Sequence, residues 1–197
     1  MNIFKETANH FNYLSKDNKQ LNNIEKASEV LISCILNKGK IFFAGNGGSF
    51  SDSQHISSEF IGRLNFDREP LPAICLGSNS SSTTSIGNDY GFESIFSREL
   101  KALFSKNDIL VALSTSGESK NIIELLKTAQ ELEIITILIT GPNESASAVR
   151  FADICINTPP MCKKTYSIQH LHIAIGHYLC EKVQTKLLVD KENYSSL

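Results

Sequence analysis

Apolar positions along the first part of the chain recur at helical spacing. Phe4, Ala8, Phe11 and Leu14 form one such set, and Ile24, Ala27, Val30, Leu31, Cys34 and Ile35 form a second. Each set describes one face of a helix. The polar stretch 16–20 separates them, and Gly39 ends the second. The pattern then changes. Short runs at 40–44, 72–76, 108–113, 134–140 and 154–157 are continuously apolar or nearly so. Runs of that kind predict strands buried on both faces, as in a parallel sheet. Helical spacing returns at 50–62, 93–105 and 119–132, and a long helical pattern starts near Thr165. Strands alternating with helices predict an α/β three-layer sandwich, built on a doubly wound five-stranded parallel sheet. No internal repeat or linker interrupts the pattern. The expectation is one domain over 1–197, with N-terminal helices over 1–37 and an α/β core over 40–197.

In such a fold, ligands bind at the carboxyl ends of the strands. Three loops are expected there. Ser114-Thr115-Ser116-Gly117-Glu118-Ser119 follows the third strand and opens a helix, with four hydroxyl side chains in six positions. Helix N-termini carry unpaired N–H groups and partial positive charge, so such a loop can hold an anion. It can equally be a solvated loop in which Ser119 caps the helix. Asn46-Gly47-Gly48-Ser49 follows the first strand and supports the same argument, with glycines allowing close backbone approach and Ser49 as the cap. Neither loop is a Walker A sequence or a G-x-G-x-x-G fingerprint, so ATP is not favoured. The third, residues 77–89, is dense in Ser, Thr, Asn and Gly and ends in Asn88-Asp89. It reads as a loop in which Asp89 binds sugar hydroxyls or closes a turn.

Two helical patterns carry acid–base chemistry. His55 and Glu59 are four residues apart after the first loop, on one helix face. They could bind a metal, share a proton or form an exposed pair. The C-terminal pattern carries Gln169, His170, His172 and His177 among apolar residues. Gln169 and His177 fall within about 80° of each other around the axis, and His170 and His177 within about 20°.

Composition narrows the field. Hydrophobic residues are 41% and charged residues 20% of 197, which is ordinary for a globular chain. The net charge of −2, with no basic stripe, argues against a nucleic-acid partner. The polar start at residues 1–6 and the lack of a long apolar stretch predict neither a leader nor a membrane span. Five scattered cysteines without a C-x-x-C pair suit a reducing, cytoplasmic setting better than a disulfide scaffold.

Taken together, these residues resemble the sugar isomerase (SIS) domain, and within it the phosphoheptose isomerases. The resemblance spans nearly the whole chain. It is carried by 45–49, Asp52, His55, Glu59, Gly62-Arg63, 87–92, 96–98, 114–119, Ile168-Gln169, His172 and His177. It implies an isomerase that converts D-sedoheptulose 7-phosphate to D-glycero-D-manno-heptose 7-phosphate through an ene-diol, toward the heptose of bacterial surface glycans. It also implies a cytoplasmic homotetramer with shared active sites, in which the N-terminal helices pack in the oligomer. Zinc, one ion per subunit, would be held at His55, Glu59, Gln169 and His177. Glu59 would be the base and His177 its acid–base partner. Ser114, Thr115, Ser116 and Ser119 would hold phosphate. Asn46, Gly47, Gly48, Ser49, Asn88 and Asp89 would contact the sugar, with Glu59 and Gln169 also at the substrate. The chain departs from the family at Tyr166, where an acidic residue is common, and at His170, where Glu is common. Two other readings remain: a non-enzymatic SIS protein that binds phosphosugars or associates with a replication initiator, and an isomerase for a different phosphosugar.

Overall fold

The structure, a computed structural model, describes residues 2–194, with side-chain surroundings given through Leu188. Two N-terminal helices, α1 (Ile3–Leu14) and α2 (Asn18–Leu36), precede β1 (Ile41–Gly45) and α3 (Gly48–Ile61). Then follow β2 (Ala73–Cys75), α4 (Ser80–Tyr90), α5 (Ile95–Leu103), β3 (Ile109–Ser114) and α6 (Lys120–Glu131). The chain finishes with β4 (Ile135–Thr140), β5 (Ile154–Asn157) and the long α7 (Thr165–Tyr194).

The strands form one parallel sheet in the order β2-β1-β3-β4-β5. The order reverses between β1 and β3, which opens a crevice at their carboxyl ends. Successive residues of β1 point to opposite faces, yet both faces are apolar. Ile41 and Phe43 join one core with residues of α2, α3 and α7, while Phe42 and Ala44 join another with residues of α5 and α6. Burial on both sides is why the strands read as unbroken apolar runs. The expected fold class holds, with strand ends shifted by a residue or so.

Two expectations change. Residues 77–89 are not a loop, because most of the stretch forms α4. Asn79 caps it, accepting from the Ser81 and Ser82 N–H groups. Thr84 and Ser82 donate their hydroxyls back to the Ser80 and Asn79 carbonyls. Hydroxyls that usually compete with a helix here satisfy it. None of its residues is buried, so there is no apolar period to read. In α1 the sequence stripe faces outward except at its last member, Leu14. The inward residues are Glu6, His10 and Leu14, while Phe4 is 80% exposed and Phe11 is also exposed.

Candidate active site

The loops after β1 and β3 meet across the sheet's switch point. The Asn46 and Asn121 carboxamides donate to each other, both at 2.8 Å. Asn121 is buried in the first turn of α6 and ties the two loops into one wall. Sequence reasoning missed it, although a polar residue in the inward period of Leu125 and Ala129 is its signal.

The loop 114–119 is braced from beneath. Gly117 takes φ +67°, where a side chain would be strained and its Cβ would come within 2.6 Å of the Ala146 Cβ. Its N–H donates to the Ser114 hydroxyl at 3.1 Å. The Thr140 hydroxyl, at the end of β4, donates to the Ser114 carbonyl at 2.6 Å. Ser119 occupies the N-cap position of α6, but its hydroxyl makes no capping bond. The capping role weighed for that hydroxyl is therefore not the one it plays, and it stays open toward the crevice end of the helix. Ser49 likewise does not cap α3. The N-cap is Gly47, which has no side chain to offer, and Ser49 lies buried inside the first turn.

Helices α3 and α7 pack side by side and run in the same direction from this end. Gln169 lies against Gly48. A Cβ on Gly48 would meet the Gln169 Nε2 at 2.2 Å, so any larger residue there would push the Gln169 carboxamide out of this position. About two turns further along both helices, His55 and His177 face each other with Nε2 atoms 2.9 Å apart. The Glu59 Oε1 stands 3.4 Å from the His55 Nε2. One ligand atom from each of His55, Glu59 and His177 lies within 4.8 Å of the others. Three of the four expected metal-site residues therefore converge, and Gln169 sits at the loop end of the same seam. Two imidazole nitrogens aimed at one point beside a carboxylate form a donor set that suits zinc.

Asp52 lies on the same side of α3. Burial pushes its carboxyl upward, and His55 and His170 act in the opposite direction. One of its oxygens is buried without a hydrogen-bond partner. The two departures noted in the sequence touch each other. The Tyr166 and His170 rings are 5.9 Å apart, and Lys164 lies over the Tyr166 ring while pairing with Glu6 of α1 at 2.9 Å. His172 points the other way, into the core. It is fully buried, neither ring nitrogen has a hydrogen bond of good geometry, and desolvation pulls it down to about 4. Asn88 and Asp89 are exposed in the last turn of α4 and hydrogen-bond to each other at 2.7 Å.

A family model for the SIS domain matches residues 7–141. A phosphoheptose isomerase of Laribacter hongkongensis is 42% identical over 167 residues, which is 84% of each chain. Another, from Aneurinibacillus thermoaerophilus, is 42% identical over 175 residues, 89% of this chain and 87% of that one. The solved phosphoheptose isomerase of Neisseria gonorrhoeae superposes with a TM-score of 0.83 at 35% identity, covering 92% of this chain and 95% of that one. By these matches in sequence and fold, the chain belongs to the SIS-domain family and, within it, to the phosphoheptose isomerases.

Proposed function

We propose that this protein interconverts sedoheptulose 7-phosphate and the corresponding heptose 7-phosphate, supplying heptose for bacterial surface glycans. The observation that carries the reading is the convergence of His55, Glu59 and His177 on the seam of α3 and α7, two helices that start at the carboxyl end of the sheet. Moving a carbonyl from C2 to C1 requires taking a proton from C1 and returning one to C2. Glu59 is the base that carries it, because its carboxylate stands at the cluster. His177 serves as the acid–base partner at the two oxygens. Ser114, Thr115, Ser116 and Ser119 hold the phosphate at the far end, so binding energy there fixes the reacting carbons against Glu59. Asn46, Gly47, Gly48, Ser49, Asn88 and Asp89 contact the sugar.

His55, Glu59 and His177, with Gln169 from the same seam, would hold one zinc ion per subunit. When bound, the metal polarises the carbonyl and stabilises negative charge on its oxygen. Glu59 has two oxygens, so one can ligate while the other faces the substrate.

We also propose a homotetramer in which α1 packs its outward stripe against another copy. Exposed Phe4 and Phe11 on a helix whose inward face is Glu6, His10 and Leu14 support that reading. Replacing both phenylalanines by Ser should shift the sedimentation coefficient toward smaller species; an unchanged tetramer would place the interface elsewhere. A cytoplasmic setting is consistent with five free cysteines. No helix among the described residues is long and apolar enough to cross a membrane.

Incubation with sedoheptulose 7-phosphate, followed by NMR, tests the activity. The aldose phosphate should accumulate. No turnover, with or without added zinc, would leave the non-enzymatic reading in its place.

A further inference from the structure

Helix α3 ends without the usual means of finishing a helix. Its last turn contains no basic residue, and its C-cap is Gly62 at φ −81°, not in the left-handed conformation common at such ends. The Ser58 carbonyl is taken by the Gly62 N–H at 2.7 Å. The next carbonyls belong to Glu59 and Phe60; one side chain reaches both, and the Phe60 carbonyl also accepts from the Leu71 N–H at 3.0 Å. The Arg68 Nη2 donates to the Glu59 carbonyl at 2.7 Å. Its Nη1 donates to the Phe60 carbonyl at 2.8 Å, and also reaches the carbonyls of Gly62 at 3.3 Å and Glu69 at 3.0 Å. A planar guanidinium suits several acceptors in fixed directions, and lysine does not.

The same side chain reaches α7. The Cys180 thiol, one turn past His177, is pushed up to about 11 by burial, and the Arg68 charge works against that rise. Glu59 acts on the same thiol. The Arg68 Nε is buried with no hydrogen-bond partner, while the residue as a whole is half-buried and its Nη1 reaches exposed carbonyls at the end of α3. Arg68 therefore touches the backbone of Glu59 on one side and acts on Cys180 of α7, one turn past His177, on the other.

We propose that Arg68 is a positioning residue for the reaction. It fixes the last turn of α3 against α7 and so sets the placement of the Glu59 carboxylate relative to His177. The inference rests on the reading of Glu59 as base. It predicts a loss in the chemical step rather than in binding, because the phosphate loop lies at the other end of the seam.

The test uses zinc-supplemented enzyme and sedoheptulose 7-phosphate, with kcat, KM and thermal midpoint measured for Arg68→Gln, Arg68→Lys and, as reference, Glu59→Gln. A displacement of about 1 Å in a catalytic group costs about 100-fold, and that is the fall in kcat expected for Arg68→Gln. KM should stay within about twofold, since uniform binding is untouched. Arg68→Lys keeps the charge but not the fork, and should recover only part of kcat. Wild-type kcat in Arg68→Gln would overturn the proposal, as would a loss matched by the fraction unfolded. If Arg68→Gln does not fold, Arg68→Lys decides: full activity contradicts positioning by the fork, and reduced kcat at unchanged KM supports it. Full activity in Glu59→Gln would instead show that the base is wrong, a separate failure that leaves Arg68 with nothing to position.

Discussion

The two ends of the sheet treat their polar groups in opposite ways. At the amino end, Asp108 accepts from the Lys40 N–H at 2.9 Å, the Lys40 ammonium at 2.6 Å and the Ser105 N–H at 2.6 Å. Asp153 similarly accepts from the N–H and hydroxyl of Thr136, both at 2.8 Å. These groups close on one another and ask nothing of a ligand. At the carboxyl end the Ser119 hydroxyl caps nothing, and an Asp52 oxygen and the Thr158 hydroxyl are buried without partners; about two turns down α3 and α7 from that end, two histidines face each other beside a carboxylate. Buried polar atoms are normally paired, and the unpaired Asp52 oxygen lies one turn before His55 on α3. On the proposed function, groups at the first end carry stability and those reached from the second carry chemistry.

Variants can break this division, and the largest effect should come at the carboxyl end. Glu59→Gln should lower kcat by about 10²- to 10⁴-fold, the usual worth of a positioned acid–base group, with the thermal midpoint nearly unchanged. His172 gives the next effect, beneath that end. Its folded-state value near 4 lies below the ordinary 6.5. Between those values the unfolded chain binds a proton that the folded chain refuses. Stability should therefore rise with pH across that window and be lost as pH falls through it, by up to about 3 kcal/mol. Urea unfolding from pH 4.5 to 7 should show this slope, reduced by one proton in His172→Phe. At the amino end, Asp108→Asn should cost about 2 kcal/mol of unfolding free energy with kcat intact, because it weakens a buried, charge-assisted network. The smallest effect belongs to Ser119→Ala, where KM should rise about tenfold at unchanged kcat, the loss of one hydrogen bond to a charged group. If Asp108→Asn lowered kcat as much as Glu59→Gln does, the division between the two ends would fail.

Much of this was legible in the chain. The strands were visible because both sheet faces are apolar, and His55, Glu59 and His177 because helical spacing places them on definite faces. Gln169 and Gly48 could be named but not joined, since their contact depends on how α3 and α7 lie together. Helix α4 was hidden because its side chains satisfy its own backbone and leave no apolar period. The outward stripe of α1 was read as a helix, correctly, but periodicity alone does not say which neighbour a stripe faces. Arg68 was invisible for a different reason. Its partners are backbone carbonyls, which have no identity in a sequence.

The central claim is that Glu59 carries a proton between neighbouring carbons. Isomerisation of sedoheptulose 7-phosphate in D2O, followed by NMR over many turnovers, tests it most directly. The account predicts deuterium at C2 of the aldose phosphate from the wild-type enzyme, and product and exchange both slowed by about 10²- to 10⁴-fold in Glu59→Gln. Aldose free of deuterium would mean a hydride shift, and labelled aldose formed by Glu59→Gln at the wild-type rate would mean another base; either result would contradict the account.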